Sequence, residues 1–152
     1  MLPDATALPL SEILLRLGAA TLCGLLLGFE RELRGKDAGL KTHSLVGLSS
    51  ALITASALSM YADVRAHGGD ADPLRVIQGL AQAIGFIAAG TIFVAQRDVK
   101  NLTTAASIWL AASVGIVAGA AQFKLLAVAM GFAFAVLILL KILERYGLSK
   151  RE

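Results

Sequence analysis

Apolar runs of bilayer length, with nearly all charge swept into the gaps between them, leave few folds open to this chain. The runs lie at about 9–30, 43–62, 74–96, 102–121 and 123–143. A transmembrane helix needs roughly 20 mostly apolar residues, so the pattern predicts an all-α, polytopic transmembrane bundle of five helices. Residues 1–152 then form one transmembrane domain. Only 16% of the residues are charged, where a soluble domain carries about a quarter, and the mean hydropathy is +0.73. A net charge of +3 distributed in this way bears on which side each loop faces, and no nucleic-acid partner is expected. The single Cys23 lies inside an apolar run, which excludes a disulfide framework or a cysteine metal motif.

Lysine and arginine decide orientation. With the N-terminus outside, the cytoplasmic loops and tail hold Arg31, Arg34, Lys36, Lys41, Arg97, Lys100, Lys141, Arg145, Lys150 and Arg151. The outer side keeps Arg16, Arg65, Arg75 and Lys124. Ten against four places the C-terminus in the cytoplasm and the N-terminus outside. No Lys or Arg precedes Arg16, so the first run lacks the basic start of a signal peptide and is expected to be retained. Within it, Glu12 and Arg16 stand four apart, a helical pair whose ends snorkel.

The outer loop 63–73 ends in a helix start, with Asp72 as cap and Pro73 at the first helical position. Small and weakly polar residues recur at helical spacing in the first four helices: Thr21, Gly24 and Gly28; Gly47, Ser50, Thr54 and Ala57; Gln78, Gln82, Gly85, Ala89 and Gln96; Thr104, Ser107, Ala111, Gly115 and Gly119. Such stripes let helices approach closely in lipid, so these four helices are expected to form the core. The fifth, rich in large apolar residues, is expected at the periphery. Gly24-x-x-x-Gly28 and Gly115-x-x-x-Gly119 exceed what one small core requires, which favours a homodimer. A displacement of 62 residues aligns Gly28 with Gly90, Leu40 with Leu102, Thr42 with Thr104 and Leu48 with Leu110. Chance and a parallel repeat of helices 1–2 and 3–4 fit these identities equally well.

Chemistry concentrates in residues 28–44, where Glu30, Arg31, Glu32, Arg34, Lys36, Asp37 and Lys41 fill a loop between two spans. Helix N-termini at Thr42/His43 and Thr103/Thr104 would face the same rim and attract anions. The favoured reading is an ordered ion-paired rim of Glu30, Arg31 and Lys36 with Asp37 or Asp98. Solvated topology charges, a pocket for an anionic ligand and a hard-cation site remain open beside it, and any metal ligands are unassigned. A conduit would need ionisable residues at mid-membrane, yet residues 17–29, 44–62, 76–96 and 102–123 hold none. Mg²⁺ sheds water reluctantly and favours carboxylates, which counts against a carrier and leaves a channel lined by amides and carbonyls open. His43 and His67 fall on opposite sides, and Cys23 has no base beside it. No enzymatic activity and no cofactor are therefore expected.

The pattern E-R-E-x-R-G-K-x-A-G-L-K-T-H resembles the signature loop of the MgtC/SapB family of bacterial inner-membrane proteins. Asp72-Pro73-Leu74-Arg75, Ile84-Gly85-Phe86 to Gly90-Thr91-Ile92, and Leu102-Thr103-Thr104-Ala105-Ala106-Ser107-Ile108-Trp109 extend the likeness from about residue 18 to about 120. By position it marks Glu30, Arg31, Gly35, Lys36, Ala38, Gly39, Lys41, Thr42, Asp72, Arg75, Gly85, Phe86, Gly90, Thr103 and Thr104. Ala83, Ala88 and Asn101 depart from the family's usual glycines. The resemblance implies a factor for growth under magnesium limitation. The founding member is thought to act by inhibiting the F-type ATP synthase, and direct Mg²⁺ transport by it is doubted. A non-enzymatic role in ion and energy homeostasis through a membrane partner, or by self-association, is thus expected. A small ion transporter or channel comes second, and a binder of an anionic ligand at the cytoplasmic rim third. Many relatives add a soluble C-terminal domain; this chain stops at Glu152, so regulation through such a domain is not expected.

The charge asymmetry predicts that a cysteine at Gly69 reacts with an impermeant thiol reagent in intact cells, and that one at Gly35 does not. Labelling at position 35 and not at 69 would invert the orientation.

Overall fold

A computed structural model describes residues 8–95 and 98–145. Five helices run α1 (Leu10–Leu33), α2 (Leu40–Ala66), α3 (Leu74–Gly90), α4 (Leu102–Gly119) and α5 (Phe123–Arg145). Between α3 and α4 stands a short hairpin of β1 (Phe93–Ala95) and β2 (Asp98–Lys100), with Val94 opposite Val99. By length and composition α1, α2 and α4 are able to cross a membrane, while α3 and the apolar part of α5 (Phe123–Leu139) are shorter.

The third apolar run does not continue as helix to residue 96. It stops at Gly90, where the Thr91 hydroxyl donates to the Ala88 carbonyl at 2.7 Å. Beyond it Ile92, Phe93 and Val94 are residues that prefer a pleated backbone to a helix. Hydropathy alone does not distinguish that strand from another helical turn. The helix boundaries elsewhere shift by a few residues, most at α2, which reaches Ala66.

Local chemistry ends α1 sharply. The Lys36 N–H donates to the Arg31 carbonyl at 3.1 Å and that of Gly35 to Glu32 at 3.0 Å. Gly35 sits at φ +62°, a left-handed position that a residue with a Cβ occupies only under strain. At the entry to α3 the Asp72 carboxylate accepts the Leu74 N–H at 3.0 Å, so the Asp-Pro pair does act as a cap.

Helix α2 is the central staff, with α1 antiparallel and α4 parallel along it. The glycines explain how closely they pass. A Cβ added at Gly24 would lie 2.5 Å from the His43 carbonyl oxygen, and one at Gly28 2.7 Å from Leu40 Cα. At Gly119 it would lie 2.5 Å from the Ala51 oxygen, and at Gly115 it would collide with the Gly47 oxygen. Both Gly-x-x-x-Gly motifs are therefore occupied within the chain, by α2, which removes the argument for a homodimer drawn from them. Ala20, Leu27, Ala51, Ala111, Val114 and Ala118 fill the core around these contacts.

Helix α3 faces the opposite way from expectation. Leu80, Ile84 and Ala88 turn inward against Ala105, Ile108 and Ala112 of α4, leaving Gln78, Gln82 and Ala89 exposed. The larger apolar side chains took the buried face because α4 already supplies small residues there. Among the described residues of that stripe only Gly85 meets α4, seating Trp109, whose ring would lie 3.3 Å from a Cβ at this position; Gln96 lies outside the described residues. Helix α5 packs one edge on the bundle through Leu126 and Met130 and leaves Val128, Phe132, Val136 and Leu139 exposed.

Gly115→Ala is expected to lower stability by about 1–3 kcal/mol, since neither backbone yields easily. Gly131→Ala on α5, which meets nothing within 4 Å, is expected to cost nothing. Thermal unfolding in mild detergent reads the difference.

Candidate functional site

Three helix ends converge on a buried polar cluster. Arg31, in the last turn of α1, is only 5% exposed, and Thr104 in the first turn of α4 is 1% exposed. The Arg31 guanidinium donates to the Thr104 hydroxyl at 2.6 Å. His43, in the first turn of α2, is fully buried. Its Nδ1 faces the Gly39 carbonyl at 2.9 Å and its Nε2 the Ser107 hydroxyl at 3.0 Å. A carbonyl only accepts, so Nδ1 carries a proton. The Ser107 hydroxyl also lies 2.8 Å from the Thr104 carbonyl. In neutral His43 that hydroxyl donates to Nε2. The chain of contacts thus runs from α1 through α4 to α2.

The surrounding acids have assigned tasks. Glu32 reaches across the loop to accept the Leu40 N–H at 3.1 Å, capping α2. Gly39 makes this reach possible, because a Cβ there would overlap the Glu32 carboxylate. Glu30 pairs with Arg34, one turn on, and Arg34 also donates to the Leu137 carbonyl of α5 at 3.2 Å. Asp37 accepts from the Asn101 amide at 2.9 Å, and the same amide lies 3.2 Å from the Thr91 carbonyl. Asn101 adopts a left-handed conformation, φ 66°, where glycine is the usual choice and asparagine the best-tolerated substitute. Its side chain uses that position to tie the loop to the end of α3.

The motif residues divide into two groups. Glu30, Arg31, Ala38, Gly39 and Thr104 build the cluster or its walls, with Ala38 buried in the apolar cluster that α3 and α4 share, and Gly35 makes the exposed turn beside it. Lys36 and Thr42 are half-buried at its edge, and Lys41 and Thr103 are exposed there. Asp72 and Arg75 lie at the far end of α3, and Phe86 and Gly90 sit on its outer side, Phe86 83% exposed. Of the residues expected at the rim, Arg31 bonds Thr104, Glu30 pairs with Arg34, and Asp37 accepts from the Asn101 amide. The Asp98 side chain lies outside the described ones. Among the described residues no three of His, Cys, Asp and Glu gather as metal ligands. Sequence reasoning missed His43 and Ser107 as partners. The available signal was their spacing: each stands one turn into a helix beside the motif, and Ser107 follows Thr104 by three residues.

Apolar helices locked by a buried polar knot define a helical membrane protein. The chain belongs to the MgtC family, whose model matches residues 17–146. It is 42% identical over 118 residues to "Putative magnesium transporter YhiD" of Escherichia coli (strain K12), covering 76% of this chain and 54% of that one. Protein SapB of Bacillus subtilis is 41% identical over 115 residues, 74% of this chain and 50% of its own. Protein MgtC of Brucella abortus is 39% identical over 135 residues, 88% and 53% respectively. The chain spans about half the length of these curated relatives. No solved structure matches it.

The two threonines of the Leu-Thr-Thr motif are expected to differ. Thr104→Val removes a buried bond to a charged group and should lower stability by about 1.5–3 kcal/mol. Thr103→Val, at an exposed position, should change it little. Equal effects in detergent unfolding would contradict this assignment.

Proposed function

We propose that the protein is a non-enzymatic factor of the bacterial inner membrane in magnesium-linked ion and energy homeostasis. It acts by presenting its motif-bearing end to another membrane protein. The supporting observation is that the motif's Arg31 is buried against Thr104 while Glu32, Asp37 and Lys41 stay exposed around it. Arg31, Thr104, Ser107 and His43 lock the ends of α1, α4 and α2. Locked in this way, the loop is a rigid platform that carries Lys41 and Thr103 outward. The lysine and arginine balance puts this platform in the cytoplasm and residues 63–73 in the periplasm. The family resemblance makes the F-type ATP synthase the first partner to test.

Transport is the competing reading, and the printed name of the Escherichia coli relative speaks for it. The geometry weighs against it. Backbone contacts at Gly24, Gly28, Gly115 and Gly119 close the α1–α2–α4 seam, and the amides of Gln78 and Gln82 stand outside the bundle. Mg²⁺ gives up water reluctantly and asks for carboxylates, while Glu30, Glu32 and Asp37 are engaged elsewhere. An anionic ligand is weakly supported for a related reason: the Glu32 carboxylate already occupies the N-terminus of α2.

Two measurements separate the readings. Liposomes holding only this protein are expected to pass Mg²⁺ no faster than empty ones. Lys36→Ala is expected to abolish growth in low magnesium while the protein still accumulates in the membrane. Specific Mg²⁺ flux, or a Lys36→Ala variant that grows normally, would contradict the partner reading.

A further inference from the structure

Helix α3 presents a polar seam to the side where a membrane helix meets lipid. Arg75, Gln78, Gln82 and Ala89 are exposed, as is Phe86. Their spacing of three or four residues keeps them on one helical face, opposite the buried Leu80, Ile84 and Ala88. Gln82 lies at the middle of a 17-residue apolar helix. An amide there has two donors and an acceptor that hydrocarbon leaves unmet, and such groups in membrane helices face other helices or water-filled space. Beside them Gly79 has open space around it, with nothing within 4 Å of an added Cβ. A second helix backbone can approach there closely.

We propose that this face is the contact between two copies of the chain, with α3 packed on α3 of the second copy about an axis along the membrane normal. Self-complementarity selects this occupant. A glutamine amide both donates and accepts, so Gln78 and Gln82 each bond their own counterparts across a two-fold axis. The end of the seam is complementary as well. Asp72 and Arg75 carry opposite charges there, and among the described residues neither has an ion-pair partner in its own chain. Across the axis each Arg75 meets Asp72 of the second copy. Phe86 then lies between the helices, which accounts for a motif aromatic that has no neighbours of its own to fill. The glycines of α1 and α4 take no part in this contact. The inference rests on the membrane reading and is independent of which partner or ion the protein serves.

Disulfide trapping tests it in native membranes with the full chain. Ala89→Cys, on the seam, is expected to give a band at twice the chain mass on mild oxidation. Wild type, whose Cys23 is buried, and Val128→Cys, exposed on α5, are expected to stay single. Adding Gln78→Leu and Gln82→Leu to Ala89→Cys should cut the cross-linked fraction about tenfold at equal protein abundance. The proposal is overturned by no dimer band from Ala89→Cys in protein that accumulates normally, or by equal trapping from Val128→Cys. A product with a different protein, or a yield indifferent to the glutamine changes, overturns it too. Growth in low magnesium reads the function separately, so failure of the interface and failure of the functional reading give different results.

Discussion

A guanidinium held almost wholly out of water at the end of α1 is the contact on which the rest of this structure turns. A charge in such surroundings is costly unless neighbouring groups meet it. Arg31 is met by the Thr104 hydroxyl at 2.6 Å, and one turn on in α4 the Ser107 hydroxyl, 2.8 Å from the Thr104 carbonyl, bonds His43 of α2. Because each group depends on the next, the three helix ends are fixed in register as a unit. The loop between α1 and α2 is then drawn over the cluster by shorter ties, from Glu32 to Leu40 and from Asn101 to Asp37.

Packing makes that register possible. Hydrogen bonds of 2.6 to 3.0 Å between α1, α2 and α4 require the helices to touch backbone to backbone. Gly24, Gly28, Gly115 and Gly119 permit it. Apolar burial offers little drive between helices in lipid, so close approach and interhelical polar bonds supply the cohesion instead. At the other end of the same seam Arg16 donates to the Gly119 carbonyl at 3.0 Å and pairs with Glu12. Both ends of the α1–α4 crossing are thus fastened by an arginine.

Most of the architecture was legible because apolar length and glycine spacing map directly onto helices and their contacts. The stripes of α1, α2 and α4 face inward as their small residues require. The stripe of α3 does not, because its period is equally compatible with either face. Leu80 and Ile84 fit the small surface of α4 better than glutamines do. The hairpin at 93–100 was hidden inside a hydropathic run, since Phe93 and Val94 are as apolar in a strand as in a helix. Within the site, the charged motif drew attention to the loop, whereas the bond from Arg31 to Thr104 was not legible. A buried arginine at a helix end is served by whichever hydroxyl the next helix brings, and that depends on tertiary register. Asn101 was visible only as a departure from glycine, and the left-handed turn gives that departure its meaning.

The central claim is that Arg31 and Thr104 are energetically coupled and hold α1 to α4. A double-mutant cycle of Arg31→Met, Thr104→Val and the pair, read by reversible unfolding in detergent or bicelles, tests it directly. The structure predicts a coupling of about 1–3 kcal/mol between the two changes. Effects that simply add, to within about 0.5 kcal/mol, would contradict it.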